Sequence, residues 1–413
     1  MSIGTEELNQ DYNAVNNFSD AGEPVKLQYF DYSDSDGPDG GHWNRIISEA
    51  EQIAEAGFNG VWVQSPAEPN TEVSNGYNPK NLLNWDSDLG TEEEFDEMLE
   101  ELNRNDVELY IDGILNHAGA EPPSEADYPL DREHFHHPDS EHRTELKLCG
   151  LWSYDHEHPE VREYLGEYID LAEQKGVDGY RWDAVKHVPE WFFDEFVNDW
   201  IPDDAFTVGE AFDDNMDLLK SYIDTGMNLF DFPLLFRMQE GFSSWGDIRT
   251  VSAAVDSYNH LEKSILAENS FRSSTFVENH DTAPPEHEKL AHAFIMTAPG
   301  YPTVYSNHAE EDEGVDFTAD WLTDLIDIKT NLAAGEIDFQ ETENKREVLV
   351  YSRDNYVVGI NKSDEDYIDD VETYWDEPNL VDLTGENQLF ENSHGSSEIR
   401  IPGNDYVVCA PVE

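Results

Sequence analysis

The sequence predicts an α/β protein built on a closed barrel of eight parallel strands, with a short insert after the third strand and a C-terminal antiparallel β domain. Three observations carry this. Apolar runs of strand length alternate with segments of helical period eight times between Val25 and Ala333. The step from Asp112 to Asp183 is 71 residues, against roughly 30 for one strand–helix unit, so about 40 residues are inserted there. From about Gly335 the helical period disappears and short alternating strands take over.

In order, Val25–Phe30 reads as the first strand, after a polar, loosely attached stretch of residues 1 to 24. Trp43–Gly57 has apolar residues at helical spacing, and Gly57 suits a C-cap. Phe58–Gln64 and Val107–Leu115 read as the second and third strands around a helix over Glu92–Asp106. The insert follows, rich in Pro, His and acid, and Pro159 suits the first turn of the next helix. Then come a strand from Val177, a helix over Trp191–Trp200, a strand over Phe206–Phe212 and a helix over Asp214–Ile223. Strands over Met227–Leu234, Ser274–Asp281 and Pro302–Ser306 alternate with helices over Asp247–Glu268, His287–Ala298 and Ala319–Ala333. Val348–Ser352, Tyr356–Asn361 and Tyr406–Ala410 read as strands of the last domain. The expected division is residues 1–117 and 156–335 for the barrel, 118–155 for the insert and 336–413 for the β domain.

The 413 residues are 38% hydrophobic, enough for a large core, and the chain carries 92 acidic against 23 basic residues, a net charge of −69. Acids interleave with aromatics throughout, so the excess reads as a carboxylate coat on a folded chain rather than as disorder. Such a surface repels nucleic acid and anionic membranes. It destabilises the fold at low salt and is screened at high salt, which predicts a protein of a salt-in halophile. Two cysteines, Cys149 and Cys409, imply no disulfide framework, although a single bridge between them stays open. No basic start with an apolar run is visible and no run is long enough to span a bilayer, so a cytoplasmic, monomeric protein is expected.

Four strand ends carry an unusual polar load. The third ends DGILNH (Asp112, Asn116, His117), the fourth GYRWDAVKH (Arg181, Asp183, Lys186, His187), the fifth VGEAF (Glu210) and the seventh FVENHD (Glu278, Asn279, His280, Asp281). In a parallel barrel the carboxyl ends of all strands meet at one face, where chemistry is placed. Any one of these carboxylates is as readily a structural ion pair; four polar strand ends together, two with Asn-His pairs, are not.

These segments resemble, in order and at matching strands, the four signature regions of the α-amylase family of retaining glycoside hydrolases, over about residues 25 to 335. The resemblance implies a (β/α)₈ barrel, a subdomain after strand three, a C-terminal β-sandwich and cleavage of α-1,4-glucosidic bonds in starch-like glucans with retention. It implies Asp183 as nucleophile, Glu210 as general acid/base and Asp281 as the third carboxylate. It implies sugar contacts from Tyr77 (in NGYNPKNLLNWDSDLGT, 75–91), His117, His280, Lys186 and His187, with Arg181 beside the nucleophile. Retaining carboxylates sit about 5–5.5 Å apart, which adjacent strands supply. Arg181 is expected to hold Asp183 ionised, and Glu210, flanked by Ala211 and Phe212, to have its pKa raised by apolar surroundings.

The family also implies a calcium ion between barrel and insert, with Asn116 and the His187 carbonyl as ligands. Where its pattern has a ligand aspartate, this chain has Gly150 in Leu148-Cys149-Gly150-Leu151, so calcium is lost, weakened or rebuilt on Asp127, Asp131, Asp139 or Asp155. His134, His136, His137, His142, His156 and His158 crowd the insert and read as polar loop histidines rather than zinc ligands. The expected activity is endo-hydrolysis of starch, glycogen and maltodextrins; the rivals are an exo-acting maltogenic enzyme, an α-glucosidase or a transglycosylase on the same scaffold, and an inactive glucan-binding homologue.

Overall fold

The computed structural model describes residues 22–30, 41–70, 76–125, 127–203, 205–256, 263–307, 314–375, 379–385 and 388–412. The expected loose stretch of residues 1 to 21 lies outside them. Eight parallel strands form a nearly closed barrel: Lys26–Phe30, Gly60–Val63, Glu108–Gly113, Gly179–Trp182, Phe206–Gly209, Asn228–Phe230, Ser273–Ser274 and Thr303–Asn307. They follow one another around the sheet in sequence order, with the eighth beside the first. A parallel bridge from Phe276 to Thr303 joins the seventh segment to the eighth.

Local chemistry accounts for the elements. The helix Glu92–Arg104 starts at a reciprocal capping box between Thr91 and Glu94. The helix Pro159–Lys175 has its proline in the first turn and ends at Gly176 in the left-handed region. On the fourth strand Tyr180 and Trp182 share one side and stack 4.4 Å apart, while Arg181 takes the other side. Gly179 opens that strand because a side chain there would strike the Phe206 carbonyl oxygen 2.2 Å away.

Several expected elements are shorter or broken. The sixth strand stops at Phe230 rather than Leu234, because the Asp231 carboxylate accepts the Leu234 N–H at 3.0 Å and Pro233 follows, which starts the helix Phe232–Gly241. The helix expected over Asp247–Glu268 is described as Arg249–Val255 and a separate turn Ile265–Glu268 capped by Ser264; residues 257–262 of that expectation lie outside the described residues. The seventh strand does not reach Asp281: Asn279 and Thr282 pair across a tight turn. The helix over Trp191–Trp200 is interrupted by a π-helical turn at Phe193–Val197.

The described C-terminal strands form an eight-stranded antiparallel sheet, five strands of which the sequence reading did not include. Val348, Val350, Val357, Leu380, Ile399, Ile401 and Val407 make its core. Cys149 is exposed, Cys409 is buried, and both are free thiols. Among the described residues no helix is long and apolar enough to cross a membrane.

Contacts divide the chain into two compact units. One comprises Lys26–Phe230 and Tyr305–Val315; the other comprises Asp231–Val304, Asp316–Glu413 and the N-terminal segment to Val25.

Candidate active site

In the first unit, the ends of strands three, four and five converge on one guanidinium. Arg181 is 1% exposed. Its Nη1 donates to Asp112 Oδ1 at 2.6 Å and to Asp183 Oδ1 at 2.8 Å, and its Nη2 lies 2.9 Å from Glu210 Oε2. Trp62 and Tyr77 cover the cation, with ring centroids 5.1 and 5.5 Å away. Asp183 and Glu210 are thereby held a guanidinium's span apart at adjoining strand ends.

The backbone helps to place both carboxylates. Asp183 N–H donates to the Gly113 carbonyl, and Glu210 N–H to that of Trp182. Ala184, next to Asp183, adopts the left-handed conformation (φ 47°), a strained state for a residue with a Cβ. The strain aims the Ala184 N–H at Glu210 Oε2, 3.1 Å away.

Asp112 is a site residue for which the family resemblance implied no role. It is fully buried, accepts from Arg181, and takes the Tyr77 hydroxyl on Oδ2 at 2.7 Å. Burial pushes its carboxyl up to about 6, against the pull of Arg181. Its polar strand-end position was the available signal. Tyr77 is also held through its carbonyl, which lies 2.9 Å from His117 Nε2, while His117 Nδ1 pairs with Asn116 Nδ2 at 3.1 Å. Burial lowers the pKa of His117 and of His187, which favours neutral rings. Lys186 reaches the turn after strand five, bonding the Phe212 carbonyl and lying 3.4 Å from Asp213 Oδ2.

One expectation needs correcting. Glu210 is buried, but its carboxylate is not in apolar surroundings: Arg181 and the Ala184 N–H both contact Oε2. Both contacts favour the charged form, so apolar flanks do not account for a proton on Glu210. In the second unit, Asp281 is exposed, its backbone N–H donates to Asn279 Oδ1 at 3.0 Å, and its carboxylate lies 3.2 Å from the Nε2 of His280. Glu278 is buried on the same segment.

The described residues do not make a calcium cage, which needs six to eight oxygens. Asn116 Oδ1 is buried without a protein partner, as a ligand oxygen would be. Gly150, however, is exposed with nothing within 4 Å of where a side chain would begin. Asp127, Asp131 and Asp139 are exposed, and half-buried Asp155 caps the Glu157 N–H. One tie between insert and barrel is a side-chain cation that the sequence reading missed. Arg143 donates to the Lys186 carbonyl, the Tyr222 hydroxyl and, at 2.8 Å, Glu190 Oε1, while its own carbonyl accepts from His187 Nδ1 at 2.8 Å.

The signature described as alpha amylase, catalytic domain, matches residues 30–143. An alpha-amylase of Bacillus licheniformis is 24% identical over 365 residues, covering 68% of this chain and 69% of that protein. Alpha-amylase 2 of Schizosaccharomyces pombe is 27% identical, covering 67% of this chain and 49% of that protein. The chain thus spans between about half and two thirds of these two relatives. The solved alpha-amylase of Geobacillus thermoleovorans complexed with acarbose superposes with a TM-score of 0.81 at 20% identity, over 95% of this chain and 98% of that one. The cyclomaltodextrin glucanotransferase CldA does so at 0.77, also at 20% identity, over 95% of this chain and all of that one; at such identity these two show the fold. The matched catalytic signature and the curated relatives support a glycoside hydrolase. Within that class, the signature and the curated relatives support the alpha-amylase family.

Proposed function

We propose that the protein is an endo-acting α-amylase that hydrolyses internal α-1,4 bonds of starch, glycogen and maltodextrins by a retaining double displacement. The observation that carries this is the Arg181 fork, which presents Asp183 and Glu210 side by side at adjoining strand ends. In this reading Asp183 attacks the anomeric carbon while Glu210 protonates the leaving oxygen. Glu210, now a base, then activates the water that releases the glycosyl–enzyme. Asp281 grips sugar hydroxyls as the oxocarbenium-like state forms. Tyr77, His117 and His280 contact the glucose at the cleavage point, and Lys186 and His187 the leaving-group side.

The test is starch hydrolysis in concentrated KCl by Asp183→Asn, Glu210→Gln and Asp281→Asn. Each is expected to lose at least about 10³-fold in kcat; near-normal turnover by any of them overturns its assignment. On a long maltooligosaccharide, mixed short products early in the reaction fit endo action, and a single product replaces it with an exo reading. The barrel, insert and β-domain boundaries at 117/118, 155/156 and 335/336 belong to this reading, as do a monomeric state and a salt-rich cytoplasm. The net charge of −69 supports the last: the melting midpoint should rise steadily from about 0.1 to about 3 M KCl, and an unchanged midpoint removes the halophilic reading.

A further inference from the structure

Three side chains outside the active site converge where the insert meets the helix Pro159–Lys175. His134 ends a 3₁₀ turn of the insert, His158 is the N-cap of the helix, and Glu160 is in its first turn. One potential ligand atom from each lies within 4.8 Å of the others, and among the described residues this is the one such trio of His, Cys, Asp or Glu. The two imidazoles meet edge to face, with centroids 4.4 Å apart.

The hydrogen bonds of His134 leave a place for a cation. Its side chain is 5% exposed. Nδ1 lies 3.0 Å from the Asp131 carbonyl, an oxygen that only accepts, so Nδ1 carries a proton. In the neutral ring Nε2 is then a bare lone pair, yet it faces Glu160 Oε2 at 2.8 Å. Two acceptors at that distance need a positive centre between them, either a proton or a metal ion. A ligating histidine whose other nitrogen donates to a backbone carbonyl is the usual supporting arrangement of a metal site.

We infer that His134, His158 and Glu160 form a binding site for a divalent transition-metal ion of the zinc type. Two nitrogens and one carboxylate suit zinc, and water completes the tetrahedron. Ligand atoms on a tetrahedral zinc are about 3.3 Å apart, from bonds of about 2.0–2.1 Å, so the trio contracts slightly on binding. Glu160, with a side chain 67% exposed, is free to supply that movement. The ring nitrogen of His158 that caps Glu160 N–H does so at 3.3 Å, a long bond that metal binding gives up if that nitrogen is the ligand. The ion would staple the insert to the helix that precedes the fourth strand, apart from the Asp183 and Glu210 carboxylates.

The test uses the full chain, stripped with a chelator and titrated with zinc by calorimetry, and with cobalt(II) by visible absorption. One zinc per chain, a higher melting midpoint with zinc, and the strong absorption of four-coordinate cobalt are expected. His134→Gln and Glu160→Gln should each weaken zinc by more than the about 10- to 100-fold that loss of a supporting residue costs. His137→Gln, an exposed histidine of the same insert, should bind as the parent does. Melting without metal checks that the variants fold. No zinc binding by the folded parent, or binding that both ligand variants retain, overturns the site and leaves a proton between His134 and Glu160.

Discussion

Replacing Arg143 by alanine removes the cation that ties the insert to the turn after the fourth strand. The guanidinium bonds the Lys186 carbonyl, the Tyr222 hydroxyl and Glu190. The ion pair with Glu190 is about one third exposed on both sides, 34% and 32%, so after screening it contributes about 1 kcal/mol. The bonds to the carbonyl and the hydroxyl add about 1 kcal/mol each. Tyr222 keeps its own bond to the Val188 carbonyl and Glu190 its bond from Ser221, so neither is orphaned and the loss stays near 3 kcal/mol. For a cooperative unit of about 200 residues that is a fall in melting midpoint of about 6–12 °C. Scanning calorimetry in concentrated KCl, on chelator-stripped protein with and without calcium, reads it. Arg143→Lys should fall between, because a single ammonium cannot make the forked set. Calcium should shift neither the parent nor the variant. An alanine variant that melts within about 1 °C of the parent refutes this account of the tie, and a parent midpoint that calcium raises by several degrees shows that an ion holds the insert as well.

Two further outcomes follow from buried groups. Burial lowers the pKa of His156 and of His292 from 6.5 to about 4. Below about pH 6.5 the unfolded chain therefore takes up protons that the folded one refuses, and stability is lost between about pH 6.5 and 4, by up to about 3 kcal/mol per histidine; urea titrations across that range check it, and His292→Gln should make the dependence shallower. Gly179→Ala should cost about 3 kcal/mol, since the new methyl meets the Phe206 carbonyl oxygen and the Tyr110 ring; a parent-like urea midpoint would show that strands four and five are not this close.

The barrel was legible because a parallel sheet buried on both faces writes continuous apolar runs, and because polar residues at run ends stand out against them. The insert showed as a gap in spacing. What escaped notice has no local pattern. Arg143 meets partners 43 to 79 residues away, and nothing near it in sequence marks it. Asp231 extends an apolar run by eye, yet its carboxylate caps the next helix and also takes the N–H groups of Ile265 and Leu266. The last domain's strands hid because polar residues enter their buried positions and a leucine an exposed one: in Leu389–Ser393 and Ser396–Ile401 buried and exposed residues alternate, but buried Asn392 and Ser397 and exposed Leu389 blur the apolar pattern. Glu210 was misjudged since its sequence neighbours are apolar while its spatial neighbour is Arg181.

The charges around Glu210 decide how the proton of the proposed acid is held. One guanidinium serves three carboxylates, Asp112, Asp183 and Glu210, so the cluster is two positive charges short of neutral when all three are ionised. Like charges that share a site push one pKa up, and this repulsion, rather than apolar flanks, is what can keep a proton on Glu210 against the contacts that favour its charged form. Asp112 rises to about 6 and is therefore ionised at neutral pH, where it repels a second charge on Glu210. Asp112→Asn removes that repulsion while keeping the shape of the side chain. Glu210 should then lose its proton more readily, and the alkaline limb of kcat/KM against pH should move to lower pH, a displacement of one pH unit corresponding to about 1.4 kcal/mol. Tyr77→Phe, which removes a hydroxyl that helps to keep Asp112 ionised, should lower kcat/KM and move the limb the same way by less. An Asp112→Asn limb that stays in place would mean that the proton on the acid is held by something other than this crowd of carboxylates.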